Sequence, residues 1–158
     1  MANILISRPT NVGKLWHFNL LDRTGEFHFD HGADHVQGML LLEALRQVAI
    51  ATAHLQGLPL EGALALATYD TEFFNFLDPS VPITLRSFTT ETAALAQEDH
   101  DVAVICGVYQ WGKLCAHAIL SARAFVNASS YHHQRNRSLR IAERQRRQHA
   151  SRLETLNA

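Results

Sequence analysis

Cysteine is scarce: only Cys106 and Cys115 occur in 158 residues, each inside an apolar run and without CxxC spacing. That excludes a disulfide framework and a paired-cysteine metal motif, and a reduced, cytoplasmic setting is the simplest expectation. Neither thiol has neighbours in sequence that would lower its pKa, so both are expected to pack rather than react. A Gly-x-Ser-x-Gly elbow and a glycine-rich phosphate loop are both missing, which removes the usual signatures of serine hydrolysis and nucleotide binding. The start, Met1 to Pro9, has no basic stretch followed by a sustained apolar one, which argues against export. The longest apolar segment, 38 to 55, is broken by Glu43, Arg46 and Gln47 and falls short of the roughly 20 residues a membrane span requires. No internal repeat is visible.

What remains is a globular composition, 47% hydrophobic and 18% charged, in a length that suits one domain. The net charge of −1 conceals an asymmetry. Residues 135 to 158 hold seven of the 14 Lys and Arg but only Glu143 and Glu154 of the 15 acids, a balance of about +5 that leaves about −6 on the rest. From Ser129 the composition turns to Ser, His, Arg and Gln with a thin apolar stripe of Leu139, Ile141, Ala142, Leu153 and Leu156. The expected division is a single domain over 1–128 and a basic tail over 129–158, a marginal helix or a disordered end unless it docks on something.

Gly38 to His54 has no proline, is rich in Leu and Ala, and leaves only a narrow polar strip, which predicts a helix buried on most sides. Gln56-Gly57-Leu58-Pro59 stops it. Ala63 to Phe76 and Val81 to Thr92 read as strands separated by Leu77-Asp78-Pro79-Ser80, and Gln97 to Asp101 as a turn. Val102 to Gln110 and Leu114 to Val126 form a hairpin across Trp111-Gly112-Lys113. Leu15 to Leu20, with Phe27 to Phe29, supplies strand before the helix. A helix apolar nearly all round must be covered nearly all round, and an antiparallel sheet curled about it does so. The expected class is α+β, with the hotdog arrangement of one long central helix wrapped by a sheet.

The residues with chemistry crowd the start of that helix. Asp30, His31, Asp34, His35 and Gly38 lead into a run whose charged members are Glu43 and Arg46. Spacings of three and four place Glu43, Arg46 and Gln47 on one helix face. A carboxylate there can serve as a general base, burial raising its pKa and Arg46 pulling it back. Gly38 lets backbone N–H groups approach a substrate carbonyl, where the helix dipole favours developing negative charge. The competing reading, at about even weight, is a structural Glu43–Arg46 ion pair with Gln47 as a buried amide satisfied by backbone. Asp34 suits a helix N-cap and His35 a proton carrier. His28, His31 and His35 with Asp30 and Asp34 have metal-ligand types, but Gly32 and the extended Phe27-His28-Phe29 break the helical spacing, and no metal is expected. Tyr69, Phe73, Phe74 and Phe76 are expected in core and interface, with lining of an acyl tunnel as the alternative.

Asp30-His31-x-x-Asp34-His35-Val36-x-Gly38-Met39-Leu40-Leu41-Leu42-Glu43-Ala44-x-Arg46-Gln47 resembles the signature of the A-factor biosynthesis (AfsA-type) hotdog family. More loosely, Gly38 followed by Glu43, Ala44 and Gln47 is similar to the helix of hotdog dehydratases and thioesterases. The resemblance implies an acyltransferase that moves a β-ketoacyl group from an acyl carrier protein or CoA thioester to a small hydroxylated acceptor such as dihydroxyacetone phosphate. The products would be butyrolactones, butenolides or related secondary metabolites. It places the base on Glu43 and a carboxylate- or phosphate-holding role on Arg46, with His35 beside them, and it puts Asp34, Gly38, Met39, Gln47 and His31 around the substrate. The family's two prolines in this motif are Gly32 and Gln37 here, a change that loosens the helix start.

Dehydration or hydrolysis of the thioester is the alternative chemistry, and a non-catalytic acyl-binding hotdog is the alternative class. No cofactor is expected beyond the phosphopantetheine that the substrate itself carries. Streptomycete-type relatives hold two hotdog repeats where this chain has room for one, which implies a homodimer. The basic tail suits steering of an acidic carrier protein, whereas the acidic body disfavours nucleic acid.

Overall fold

A computed structural model describes residues 4–21, 35–89 and 98–156. Among these residues six strands and two helices follow in the order β1 (Thr10–Val12), β2 (Leu15–Asn19), α1 (Gly38–Leu55), β3 (Ala63–Phe73), β4 (Thr84–Thr89), β5 (His100–Gln110), β6 (Lys113–Phe125) and α2 (Ala128–Leu156). The strands make one antiparallel sheet ordered β1-β2-β4-β5-β6-β3. Helix α1 lies across β4, β5 and β6 on one face. This is the wrapped-helix architecture that the apolar run from Gly38 predicts.

Two-residue periodicity builds the contact. Val102, Val104, Cys106, Val108 and Gln110 of β5 point inward, as do Leu85, Ser87 and Thr89 of β4, while the alternate residues are less buried. Ala116 and Ala118 on β6 are completely buried and short, so the helix can approach the sheet there. From α1, Leu40, Leu41, Ala44, Leu45, Val48 and Ala49 fill the space above them. The polar pair in this interface is satisfied: the Thr52 and Ser87 hydroxyls lie 2.6 Å apart, and Thr52 Oγ1 also donates to the Val48 carbonyl at 2.8 Å.

Several boundaries differ from expectation for local reasons. Strand β4 begins at Thr84 because Pro82 lacks the N–H a ladder needs. Strand β5 begins at His100 and takes in two residues of the expected turn. The β5–β6 hairpin closes on Gln110 and Lys113, so its loop is Trp111-Gly112 alone. Both have positive φ, 50° and 73°, as a two-residue type I′ turn demands. Strand β1 was not anticipated; it pairs with β2 at the sheet edge. Phe27–Phe29 and Thr90–Thr92 lie outside the described residues.

Beyond β6 the chain becomes helix α2. Asn127 caps it, its side-chain oxygen accepting the Ser130 N–H at 2.9 Å. The first turn is held by an edge-on contact of Tyr131 with Phe125. From His132 to Arg152 no residue is buried. No described helix is long and apolar enough to cross a membrane.

Candidate functional site

Helix α1 starts at Gly38 with Gln37 in the N-cap position, and the Gln37 side chain makes no capping hydrogen bond. Asp34, the residue that suits a cap from sequence, lies outside the described residues, as do His31, His28 and Asp30. The first intrahelical bond runs from the Leu41 N–H to the Gln37 carbonyl at 3.1 Å. The amides of Gly38, Met39 and Leu40 are thus directed out of the helix without an acceptor in it.

Of these three residues Gly38 lines a cavity of about 370 Å³, together with His35, Val36, Leu41 and the segment Phe73 to Leu77. The Val36 N–H donates to the Leu77 carbonyl at 2.8 Å, which fixes the lead-in to the helix against the segment after β3. That bond sets the His35 ring 5.0 Å from the Phe76 ring. Phe73, Phe74 and Phe76 are 53%, 50% and 82% exposed, so the aromatics form a wall that is half open rather than a packed core. A Cβ at Gly38 would meet the Phe73 ring at 3.9 Å, an ordinary contact, but one that takes space at the mouth of the cavity. A second cavity, about 300 Å³, lies on the other side of Val36 and Leu40 and is walled by Leu20, Leu21 and Pro79 to Ile83.

Glu43, Arg46 and Gln47 do come together, one turn further along α1, but they line neither cavity. Arg46 donates through Nε to Glu43 Oε2 and through Nη2 to Glu43 Oε1, both at 2.8 Å. The Gln47 amide adds a third donor to Oε1 at 3.0 Å, and its own oxygen accepts the Leu5 N–H at 2.9 Å. The Arg46 guanidinium holds the Glu43 carboxyl below its ordinary value, outweighing the opposite pull of burial. Of the two effects weighed from sequence, the arginine wins. Met39 stands 70% exposed on the first turn.

Tyr69 links helix to sheet edge: its hydroxyl donates to the Leu42 carbonyl at 2.6 Å, and burial pushes its pKa up. The second turn of α1 is therefore tied to the middle of β3. Cys106 is 1% exposed and its thiol is pushed up to about 12 by burial, so it is no nucleophile. Cys115 is buried and free.

Gln110 escaped the sequence reading. It is 2% exposed, its oxygen accepts the Asp78 N–H at 3.0 Å, and its amide donates to the carbonyls of Asp78 at 2.8 Å and Val81 at 3.0 Å. It thereby pins the turn that walls the second cavity. The signal was present: a lone amide on the inward register of an otherwise apolar strand must have partners. Phe73, Phe74 and Phe76 line the first cavity, the alternative offered for them from sequence, whereas Asn75 was missed there because its cavity partners are distant in sequence.

No curated protein sequence matches the chain at a significant level. Among solved structures the fold is similar to that of a proposed thioesterase from Lactococcus lactis, at 8% identity and a TM-score of 0.58, over 77% of this chain and 93% of that one. A proposed thioesterase from Shewanella oneidensis aligns at 11% identity and a TM-score of 0.57, over 74% and 82%. AziG of S. sahachiroi aligns at 15% identity and a TM-score of 0.56, over 75% and 90%. Such identities speak to the fold. Residues 1–126 match the A-factor biosynthesis hotdog domain, and the chain belongs to that AfsA family.

Proposed function

We propose that the protein is an acyl-thioester enzyme that transfers a β-ketoacyl group to a small hydroxylated acceptor, working at the start of α1. Its carrying observation is the cavity lined by Gly38, the first residue of a helix whose N-cap residue makes no side-chain capping bond. A thioester carbonyl placed there would meet N–H donors and the positive end of the helix dipole, which stabilise the oxyanion formed as the acceptor hydroxyl attacks. The half-open wall of Phe73, Phe74 and Phe76 suits an acyl chain or a pantetheine arm. Donors such as an acyl carrier protein or CoA supply the thioester, so the protein brings no cofactor to this step. His35 lines the same cavity and suits movement of the proton between acceptor and leaving thiol.

Glu43 fits the role of base only after Arg46 turns away, because a carboxylate with three donors is a weak proton acceptor. An anionic acceptor such as a phosphate ester would compete for Arg46 and so release Glu43. A dimer fits the remaining geometry. Strand β3 is an 11-residue edge with Leu66 and Phe73 each 53% exposed, whereas the opposite edge is the three-residue β1. Long apolar edges are normally paired. Since Tyr69 ties the second turn of α1 to the middle of β3, joining two β3 edges would bring both Glu43–Arg46 pairs near the two-fold axis.

Mass spectrometry of products from β-ketoacyl thioesters, with and without dihydroxyacetone phosphate, tests the transfer. The acceptor ester is expected with wild type and should fall sharply with Glu43→Gln. Free acid without acceptor would mean hydrolysis, and loss of water from a hydroxyacyl thioester would mean dehydration. The closed Glu43–Arg46–Gln47 network favours one rival, a non-catalytic acyl-binding protein. Intact thioester in every mixture, with Glu43→Gln binding it as well as wild type does, would establish that rival.

A further inference from the structure

We propose that the arginine-rich face of α2 is a docking surface for an acidic, thioester-bearing carrier protein, and that in the dimer each such face serves the pocket of the other copy. This rests on the reading of the α1 pocket as a thioester site. Arg137, Arg140, Arg144 and Arg147 follow at spacings of three, four and three, which line them up on one helix face over about 15 Å. Among the described residues only Arg147 of the four has an ion-pair partner, Glu143 at 4.0 Å, and that pair is open to solvent. All seven cations of the helix are arginines, whose planar forks take carboxylates two bonds at a time. Asn127 and the Phe125–Tyr131 contact hold the root, and beyond it nothing in the described chain covers the helix. A long polar helix without a packed face is completed by a partner of opposite charge. Nucleic acid has the charge, but only a carrier brings the thioester that the pocket requires.

The register explains why the partner copy matters. Phe73, at the pocket, pairs with Ala116, whereas Phe125, at the root of α2, pairs with Ala63. Within one copy, root and pocket are therefore about 30 Å apart along the sheet. Antiparallel joining of two β3 edges about their midpoint sets Ala63 of one copy opposite Phe73 of the other. The root of one α2 then lies beside the other copy's pocket.

The test compares one β-ketoacyl group on an acyl carrier protein and on free pantetheine, using the full-length protein. With Arg137→Glu, Arg140→Glu and Arg144→Glu combined, KM for the carrier-borne thioester should rise at least roughly tenfold with kcat kept, and the pantetheine thioester should be unaffected. Equal effects on both substrates, or none, would overturn the proposal. A triple Arg→Gln variant, with helical circular dichroism as control, should move KM in the same direction by less. If neither thioester reacts with wild type, the function proposed above fails; docking is then read from binding of the loaded carrier alone. Binding that is lost in the Glu variant supports docking, and no binding, or preference for duplex DNA, refutes it. Mixing a Gly38→Trp subunit with a charge-reversed subunit should restore carrier-dependent turnover, because the intact pocket and intact α2 then face each other. No restoration would overturn service across the dimer.

Discussion

Helix α1 has 18 residues and buries eight of them, whereas α2 has 29 and buries none between His132 and Arg152. The first is fixed by the sheet beneath it; the second is fixed at its root by a cap and one aromatic contact. Their chemistry divides in the same way. In α1 the charges are closed on one another, Arg46 on Glu43, and the open feature is backbone. In α2 the backbone is closed and the charges are open. Burial thus sets where a helix in this chain responds to substitution: α1 through packing, α2 through its surface.

Leu45→Ala should break the comparison most visibly. Leu45 is completely buried, and removing it should cost about 2–5 kcal/mol in urea unfolding. Thr52→Val should cost about 1–3 kcal/mol, since it leaves the Ser87 hydroxyl buried without its partner. Arg46→Ala tests the closed charges. Glu43 is held below its ordinary value, so the pair stabilises the fold above the unfolded carboxyl pKa, and that contribution is lost as pH falls through the folded value. Because both side chains are partly exposed, the effect should stay under about 1 kcal/mol. It is read as a smaller decline in the urea midpoint of Arg46→Ala between neutral and acid pH, and as a Glu43 carboxyl that titrates higher by NMR. Leu139→Ala on α2 should change stability by less than about 0.5 kcal/mol. A loss as large as that of Leu45→Ala would show that α2 packs on something.

Much of this was legible beforehand because it rests on periodicity. The apolar run from Gly38 gave α1 to within one residue, and the short connection around Trp111-Gly112 gave the β5–β6 hairpin. The face shared by Glu43, Arg46 and Gln47 followed from helical spacing. Which of two opposed effects governs Glu43 did not, since that depends on a bidentate contact fixed by rotamers. The cavity was illegible too: His35 and Gly38 meet Phe73 to Leu77 only through the Val36–Leu77 bond, across more than 30 residues of chain. Strand β1 has just three residues, too few for alternation to register.

The most direct measurement is the amide NMR spectrum during titration with a non-hydrolysable β-ketoacyl-pantetheine analogue. The expected result is saturable shifts at Gly38, Met39 and Leu40, accompanied by His35 and Phe73 to Phe76, with Leu139 and Ile141 unmoved. Saturable shifts that leave the first turn of α1 untouched, or no binding at all, would contradict a thioester carbonyl at that helix start.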